Sequence, residues 1–370
     1  MTGKTTDRRT KRPVLSVLAG EPVWPPPVWL MRQAGRYLPE YRKLRATAAN
    51  FITLCTTPAL ATEATLQPVR RFGLDAAILF SDILILPWAL GQKLRFAEGE
   101  GPLLERIETL AEAERLVPDR LGPGVEPVME TVSRVRAELP ERTTLIGFAG
   151  APFTVACYML DGRGGDFSRT RSLAYADPAL LATVIEIVTN ATIDYLCRQI
   201  EAGADCVMLF DSWAGMLPPD LFRTHVIRPT ARIVDGVRFR HPGARVIGFP
   251  RLAGLMALPY IEETGISGFG MDTATDVSSL ARLLPRKVAL QGNLDPLLLR
   301  AGGISLEQAA ERIAGDLAGL PHIFNLGHGI LPDTPPEHVT NLVERIRTLE
   351  TPRGRVELPA GLPFAANPAT

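Results

Sequence analysis

Two arginines bracketing Gln-Ala-Gly, in the stretch WLMRQAGRYLPEYRKLR (29–45), carry the first chemical signal of this 370-residue chain. Arg32 and Arg36 follow directly on an apolar run, VWLM, and Arg42, Lys43 and Arg45 come soon after. A guanidinium offers a planar fork of donors that matches a carboxylate in bidentate fashion. Gly35 has no Cβ and lets the backbone approach a ligand closely. The segment is therefore either a set of solvated loop cations or a receptor for a multiply carboxylated anion. If a guanidinium at the end of an apolar strand is buried, it needs a partner. The chain's 40 basic and 40 acidic residues cancel. Anion affinity must then be local, and no global field draws the protein to nucleic acid or an anionic membrane.

Other polar groups follow short apolar runs in the same way. Ser81 and Asp82 follow AAILF, Tyr158 lies shortly beyond TLIGFAGAP, and Asp211 and Ser212 follow CVMLF. Arg251 comes after RVIGFP, Asp272 after GFGM, Asn293 and Asp295 after VALQG, and His328 sits inside NLGHG. Asp82 would either cap the following apolar helix, ILILPWAL, or stabilise a developing cation. His328 between two glycines is either a satisfied structural histidine or a site residue. Tyr158 and Ser212 read as packing and turn residues or as cleft polar groups. DGRGGDF (161–167) is glycine-rich but matches no phosphate loop, and it is read as a mobile lid or plain loop.

The residue inventory narrows the chemistry. Cys55, Cys157, Cys197 and Cys206 form no C-x-x-C pair, so they are read as buried apolar residues of a cytosolic protein. His225, His241, His322, His328 and His338 pair with no Cys at ligand spacing, and no metal is expected. Lysine is limited to Lys4, Lys11, Lys43, Lys93 and Lys287, none at a strand end, which argues against Schiff-base chemistry. No run approaches the roughly 18 uninterrupted apolar residues of a membrane helix. The start, MTGKTTDRRTKRP, lacks a signal-peptide core and is read as a disordered leader rather than a targeting sequence.

What must position these groups is a set of eight apolar runs: 28–31, 76–80, 144–149, 206–210, 245–249, 268–271, 288–292 and 322–327. Each has the length of a strand buried on both faces. Helical patterns separate them, such as 58–73 and 178–203, the latter with Asp177 before Pro178 and Gly203 at its end. Eight strand–helix units predict a single closed (β/α)8 barrel of the TIM type rather than an open doubly wound sheet. No G-x-G-x-x-G follows the first strand. The long 28–76 and 84–143 connections are expected to hold extra N-terminal helices and lid loops. The whole chain, 1–370, is read as one domain, with loose tails over 1–12 and about 352–370. A barrel enzyme builds its site where its strands end at their C-termini.

With these stretches in view, the sequence resembles the uroporphyrinogen decarboxylase family of haem biosynthesis. MRQAGRYLPEYR (31–42) is similar to that family's N-terminal signature. LQPVRRFGLDAAILFSDIL (66–84), GAPFTVACYM (150–159), LFDSWAG (209–215), LQGNLDP (290–296) and FNLGHGI (324–330) follow in the family's order. The resemblance implies that Arg32, Gln33, Ala34, Gly35 and Arg36 bind substrate, with the two arginines pairing with carboxylates. It implies that Asp82 meets the central pyrrole N–H groups and that Phe210 packs on the macrocycle. Tyr158, Ser212 and His328 would line the same cleft, and Asp82, Arg32, Tyr158 and His328 are the implied catalytic residues. It further implies a cytoplasmic, cofactor-free homodimer that removes four acetate carboxyls from uroporphyrinogen III to give coproporphyrinogen III. Two positions depart from the family pattern. Thr273 stands where a Trp is common, and Asp166 stands near a common lysine, with Arg163 or Arg169 as the neighbouring cation to compensate.

Such a reaction needs no added electron sink, because a pyrrole protonated beside the acetate accepts the electrons as CO₂ leaves. Two other classes compete. A corrinoid-linked methyltransferase on a related barrel would need a zinc-bound thiol, and no His-x-Cys pair is present. A non-catalytic binder of anionic tetrapyrroles would keep Arg32 and Arg36 but have no use for Asp82.

Overall fold

The computed structural model describes residues 6–7, 12–97, 101–116, 121–284 and 288–351. Seven of the eight apolar runs form one parallel sheet: β1 (Ala76–Ile78), β2 (Thr144–Gly150), β3 (Cys206–Asp211), β4 (Val246–Pro250), β5 (Gly268–Gly270), β6 (Ala289–Gln291) and β7 (His322–Ile323). Their order is β7-β6-β5-β4-β3-β2-β1, so each strand lies beside its neighbours in sequence. Every residue of β2 and β4 is buried, as expected of strands covered on both faces. The result is an α/β fold with a curled parallel sheet.

The first run, 28–31, does not form a regular strand. It is held by scattered bonds to both edge strands instead. The Trp29 amide donates to the Phe324 carbonyl (3.3 Å), and the Phe324 amide donates to Pro27 (2.9 Å). On its other side the Asp75 amide donates to the Val28 carbonyl (2.9 Å), and the Val28 amide donates to Asp75 Oδ2 (2.9 Å). Three prolines at 25–27 remove the amides a longer ladder would need.

Both helical patterns, 58–73 and 178–203, form helices. α1 (Pro58–Phe72) ends on Gly73 at φ 61, a left-handed stop that suits glycine. α2 (Pro152–Asp161) rises straight from the end of β2. α3 (Pro178–Glu201) starts at Asp177, whose side chain accepts from the Leu180 amide (3.1 Å). By length and composition α3 could cross a membrane, but Leu180, Leu181, Val184, Val188 and Leu196 are fully buried in the core against β2 and β3. Each such side chain contributes about 1.5–3 kcal/mol by leaving water.

Of the expected loose tails, residues 1–5, 8–11 and 352–370 lie outside the described residues. Thr6–Asp7 pair with Val23–Trp24, and the Arg12 guanidinium bonds Asp205.

Candidate active site

The C-terminal ends of the strands surround a cleft of about 720 Å³. All ten residues singled out above line it: Arg32, Gln33, Ala34, Gly35, Arg36, Asp82, Tyr158, Phe210, Ser212 and His328. The other cations of the opening stretch do not. Arg42 donates to the Arg36 carbonyl (2.7 Å) and Arg45 to the Ala48 carbonyl (3.1 Å).

Arg32 is placed by a short, tightly pinned segment. Trp29 Nε1 donates to Gln291 Oε1 (3.0 Å), the Met31 amide donates to Asn325 Oδ1 (2.9 Å), and the Ile330 amide donates to the Met31 carbonyl (3.0 Å). Arg32 then takes φ 58, in the left-handed region that side-chain-bearing residues seldom occupy. This turn swings its side chain off the apolar run and into the cleft. Arg32 and Arg36 are exposed there rather than buried, and neither has an ion pair among the described residues. Desolvation, then the charge of Arg36, hold the Arg32 guanidinium below its ordinary value, opposed by Asp82 and Tyr158. Gln33 is 1% exposed, and neither of its amide atoms has a hydrogen-bond partner among the described residues.

The geometry of Asp82 is compatible with both readings left open. Its Oδ1 accepts from the Leu84 amide (2.8 Å), as a cap would, while Oδ2 takes no bond among the described residues. Burial pushes the carboxyl up, opposed by the Leu84 bond and by the charge of Arg32. Tyr158 packs on Phe167 (5.3 Å between ring centroids), and Phe167 packs on Trp213 (5.0 Å). Burial raises the Tyr158 phenol, so it stays a proton donor at neutral pH. His328 Nδ1 accepts from the Gly329 amide (2.7 Å), which leaves the ring proton on Nε2. Burial first, then Arg251 and Arg32, lower His328 to about 4. It is neutral at pH 7 and can donate only through Nε2. Phe210 meets Phe148 and Phe249 edge-on, at 5.6 and 6.1 Å between centroids, giving an apolar wall.

Several strand-end residues do structural work instead. Asp272 is buried, and its Oδ2 accepts from the Leu252 amide. Asn293 Nδ2 donates to the carbonyls of Asp272 (2.7 Å) and Thr275 (2.8 Å). Asp295 caps the helix Pro296–Ala301. Neither Arg163 nor Arg169 lines the cleft; Arg163 lines a second cavity with Lys93, Arg95 and Glu105. Asp166 is exposed and accepts from the Ser168 amide (3.1 Å), and Thr273 is exposed beside Gly327. Arg251, Trp213 and Thr154 also line the cleft. Arg251 carried the same strand-end signal as Asp82. Trp213 and Thr154 carried none beyond proximity.

Among the described residues no group of three His, Cys, Asp or Glu side chains converges as a metal site would. The four cysteines are buried and free.

Comparison with known proteins supplies a family for the chain that holds this cleft. The family model described as uroporphyrinogen decarboxylase (URO-D) matches residues 9–349. A uroporphyrinogen decarboxylase of Acidiphilium cryptum (strain JF-5) is 77% identical over 345 residues, 93% of this chain and 96% of the relative. One from Gluconacetobacter diazotrophicus is 57% identical over 349 residues, covering 91% and 99%. Among solved structures, a methyltransferase from Methanosarcina mazei superposes with a TM-score of 0.76 at 23% identity, over 91% of this chain and 97% of that one. At that identity the likeness speaks for the fold alone. The matches in sequence are close and run nearly end to end, so the chain belongs to the uroporphyrinogen decarboxylase family.

Proposed function

We propose that the protein removes the four acetate carboxyls of uroporphyrinogen III as CO₂, giving coproporphyrinogen III without a cofactor. The observation that carries this reading is the charge of the cleft. Among the described residues that line it are three arginines, Arg32, Arg36 and Arg251, one carboxylate, Asp82, and the aromatic wall of Phe148, Phe210 and Phe249, in a chain with no net charge. That combination fits an apolar macrocycle fringed with carboxylates.

In this reading Arg32 and Arg36 hold substrate carboxylates, and the unmatched amide of Gln33 finds partners on the ligand. Leaving such a buried polar group unpaired costs about 1–3 kcal/mol, which favours a bound partner. Asp82 Oδ2 faces the pyrrole N–H groups and stabilises the cationic ring formed on protonation. Tyr158 and the Nε2–H of His328 donate hydrogen bonds to the substrate, and Ser212 lines its path. A guanidinium is a poor acid, because its pKa lies above about 12 in water. Phenol, bound water and the lowered Arg32 are the donors in contention for the ring proton.

The methyltransferase alternative has the shared fold in its favour and nothing from the site. The binder alternative accounts for the Asp82 oxygen that holds the Leu84 amide but gives no task to the other. We also propose that 27–31, bonded on both sides, closes the curled sheet into a (β/α)8 barrel, that the chain is one domain, and that the 84–143 connection, whose Pro102 lines the cleft, holds a lid element. Homodimer formation in the cytoplasm, without nucleic acid or membrane, completes the reading. Leu252 (47% exposed) and Leu255 (82% exposed), just past the strand that ends at Pro250, support an apolar face there. Anaerobic incubation with uroporphyrinogen III and a count of product carboxyls by mass spectrometry tests the reaction. Recovery of unchanged octacarboxylate would refute it.

A further inference from the structure

Arg251 is held more firmly than a cleft-wall loop residue needs to be. Its amide donates to the Asp211 carbonyl (3.0 Å), and its own carbonyl accepts from the Gly215 amide (3.0 Å). The next residue, Leu252, adopts φ 59, and its amide donates to the buried carboxylate of Asp272. A side chain at Gly215 would overlap the Leu252 carbonyl, so glycine is required for this close approach. Left-handed backbone at a residue other than glycine persists only where its surroundings impose it, and it concentrates at ligand clamps. Here three neighbouring strand ends impose it.

The side chain so positioned is free. The Arg251 guanidinium makes no hydrogen bond or ion pair among the described residues, and it lines the cleft. Its place in the sheet gives it a distinct reach. β4, which leads into Arg251, is the central strand of the seven, whereas Arg32 follows the segment bonded to the two edge strands. In a curled sheet the centre faces the edges. A ligand spanning the cleft therefore meets cations on two opposed sides, with His328 close enough to both to have its own titration lowered by each.

We propose that Arg251 is a third carboxylate anchor, and that it grips a propionate of the porphyrinogen rather than an acetate. The argument for propionate is chemical. Successive decarboxylations turn acetates into methyls, while the propionates survive every step. An anchor that serves each round of the reaction must hold a group that is present in each round. In the decarboxylase reading Asp82, the one carboxylate lining the cleft among the described residues, marks where the reacting pyrrole sits, and Arg251 reaches the cleft from a different strand end.

The inference rests on the decarboxylase reading, and its test separates the two. Anaerobic steady-state kinetics of the wild type, R251Q and R251K are measured with uroporphyrinogen III and with the pentacarboxylate porphyrinogen that retains one acetate. R251Q should raise KM roughly ten- to hundredfold on both substrates, with R251K in between. The KM of R251Q should also respond less to added salt than that of the wild type. Its melting temperature should stay within about 2 °C, because the side chain has no internal partner to lose. A wild type inert toward uroporphyrinogen would overturn the decarboxylase reading and the anchor with it. A working wild type, with R251Q within about twofold of it in KM, would overturn the anchor alone. A KM effect confined to the octacarboxylate would overturn the assignment to propionate.

Discussion

Gly329 lies directly against Arg32: a Cβ placed on Gly329 would come within 2.8 Å of Arg32 Cβ and 3.0 Å of its Nε. The glycine-flanked histidine motif and the arginine motif, nearly 300 residues apart in sequence, are thus two halves of one fitting. Gly329 is not in the left-handed region, so its backbone would accept alanine. What alanine would disturb is the Arg32 side chain.

The first prediction follows from that contact. Gly329→Ala should raise KM for uroporphyrinogen about five- to fiftyfold by pushing Arg32 out of place. Arg32→Ala added to Gly329→Ala should then cost less than it does alone, because contacting residues couple. Strictly additive effects in the double-mutant cycle would show that the contact does not matter.

Arg32→Ala and Arg36→Ala should each weaken substrate binding. In the complex each guanidinium becomes a desolvated charge pair, and truncating one partner costs about 2–5 kcal/mol. Initial rates over a range of substrate concentration, with Arg42→Ala as control, would check this. Arg42 spends its guanidinium on main-chain carbonyls and should change KM little. Equal effects at Arg36 and Arg42 would count against the assignment.

Much of this arrangement was legible in the sequence, for a physical reason. Buried parallel strands are short apolar runs, and in a barrel-like sheet their C-terminal ends converge, so reading past each run found Arg32, Asp82, Ser212 and His328. The same rule pointed at Asp272, Asn293 and Asp295, which stabilise turns and a helix cap. Sequence alone does not separate a strand-end carboxylate that holds backbone amides from one that keeps an oxygen free. Arg251 carries the same strand-end signal, but its significance lies in the Leu252 turn and the Asp272 bond, which join residues far apart in sequence. The 28–31 run looked like an ordinary strand. Its prolines and its position between two sheet edges give it bridging bonds in place of a ladder.

Buried Asp211 gives a prediction about pH. Its Oδ1 accepts from Thr154 Oγ1 (2.5 Å), its Oδ2 has no partner among the described residues, and burial raises its carboxyl to about 7. A carboxyl raised on folding contributes stability below its unfolded value near 3.8, and this contribution is lost as pH rises toward 7. Asp211→Asn keeps an acceptor for Thr154 and removes the charge. Its melting temperature relative to wild type should climb between about pH 4 and 7 and then level off. His322 and His328, both lowered to about 4, work in the other direction. They are neutral when folded and bind protons on unfolding, so they erode stability as pH falls from about 6.5 to 4. Taking the difference between variant and wild type cancels their contribution. A difference that stays flat with pH would mean that Asp211 does not titrate in this range.

Asp82 offers the sharpest separation of structure from chemistry. Asp82→Asn retains an oxygen for the Leu84 amide, and asparagine caps about as well as aspartate, so the helix that follows should form normally. What is lost is the negative charge on the side left free. If that charge stabilises a cationic pyrrole, it matters more in the transition state than in the ground state, and kcat must fall by more than KM rises. Each tenfold loss corresponds to about 1.4 kcal/mol, and one preorganised charge in a water-poor site is worth roughly 10²- to 10³-fold. Asp82→Ala would lose cap and charge together and should add a drop in melting temperature on top of a similar kinetic defect. The comparison therefore has two readouts, turnover for the charge and thermal stability for the cap. Near-normal kcat in Asp82→Asn, with Asp82→Ala impaired only in stability, would leave the residue as a cap and the pyrrole cation without its counter-charge.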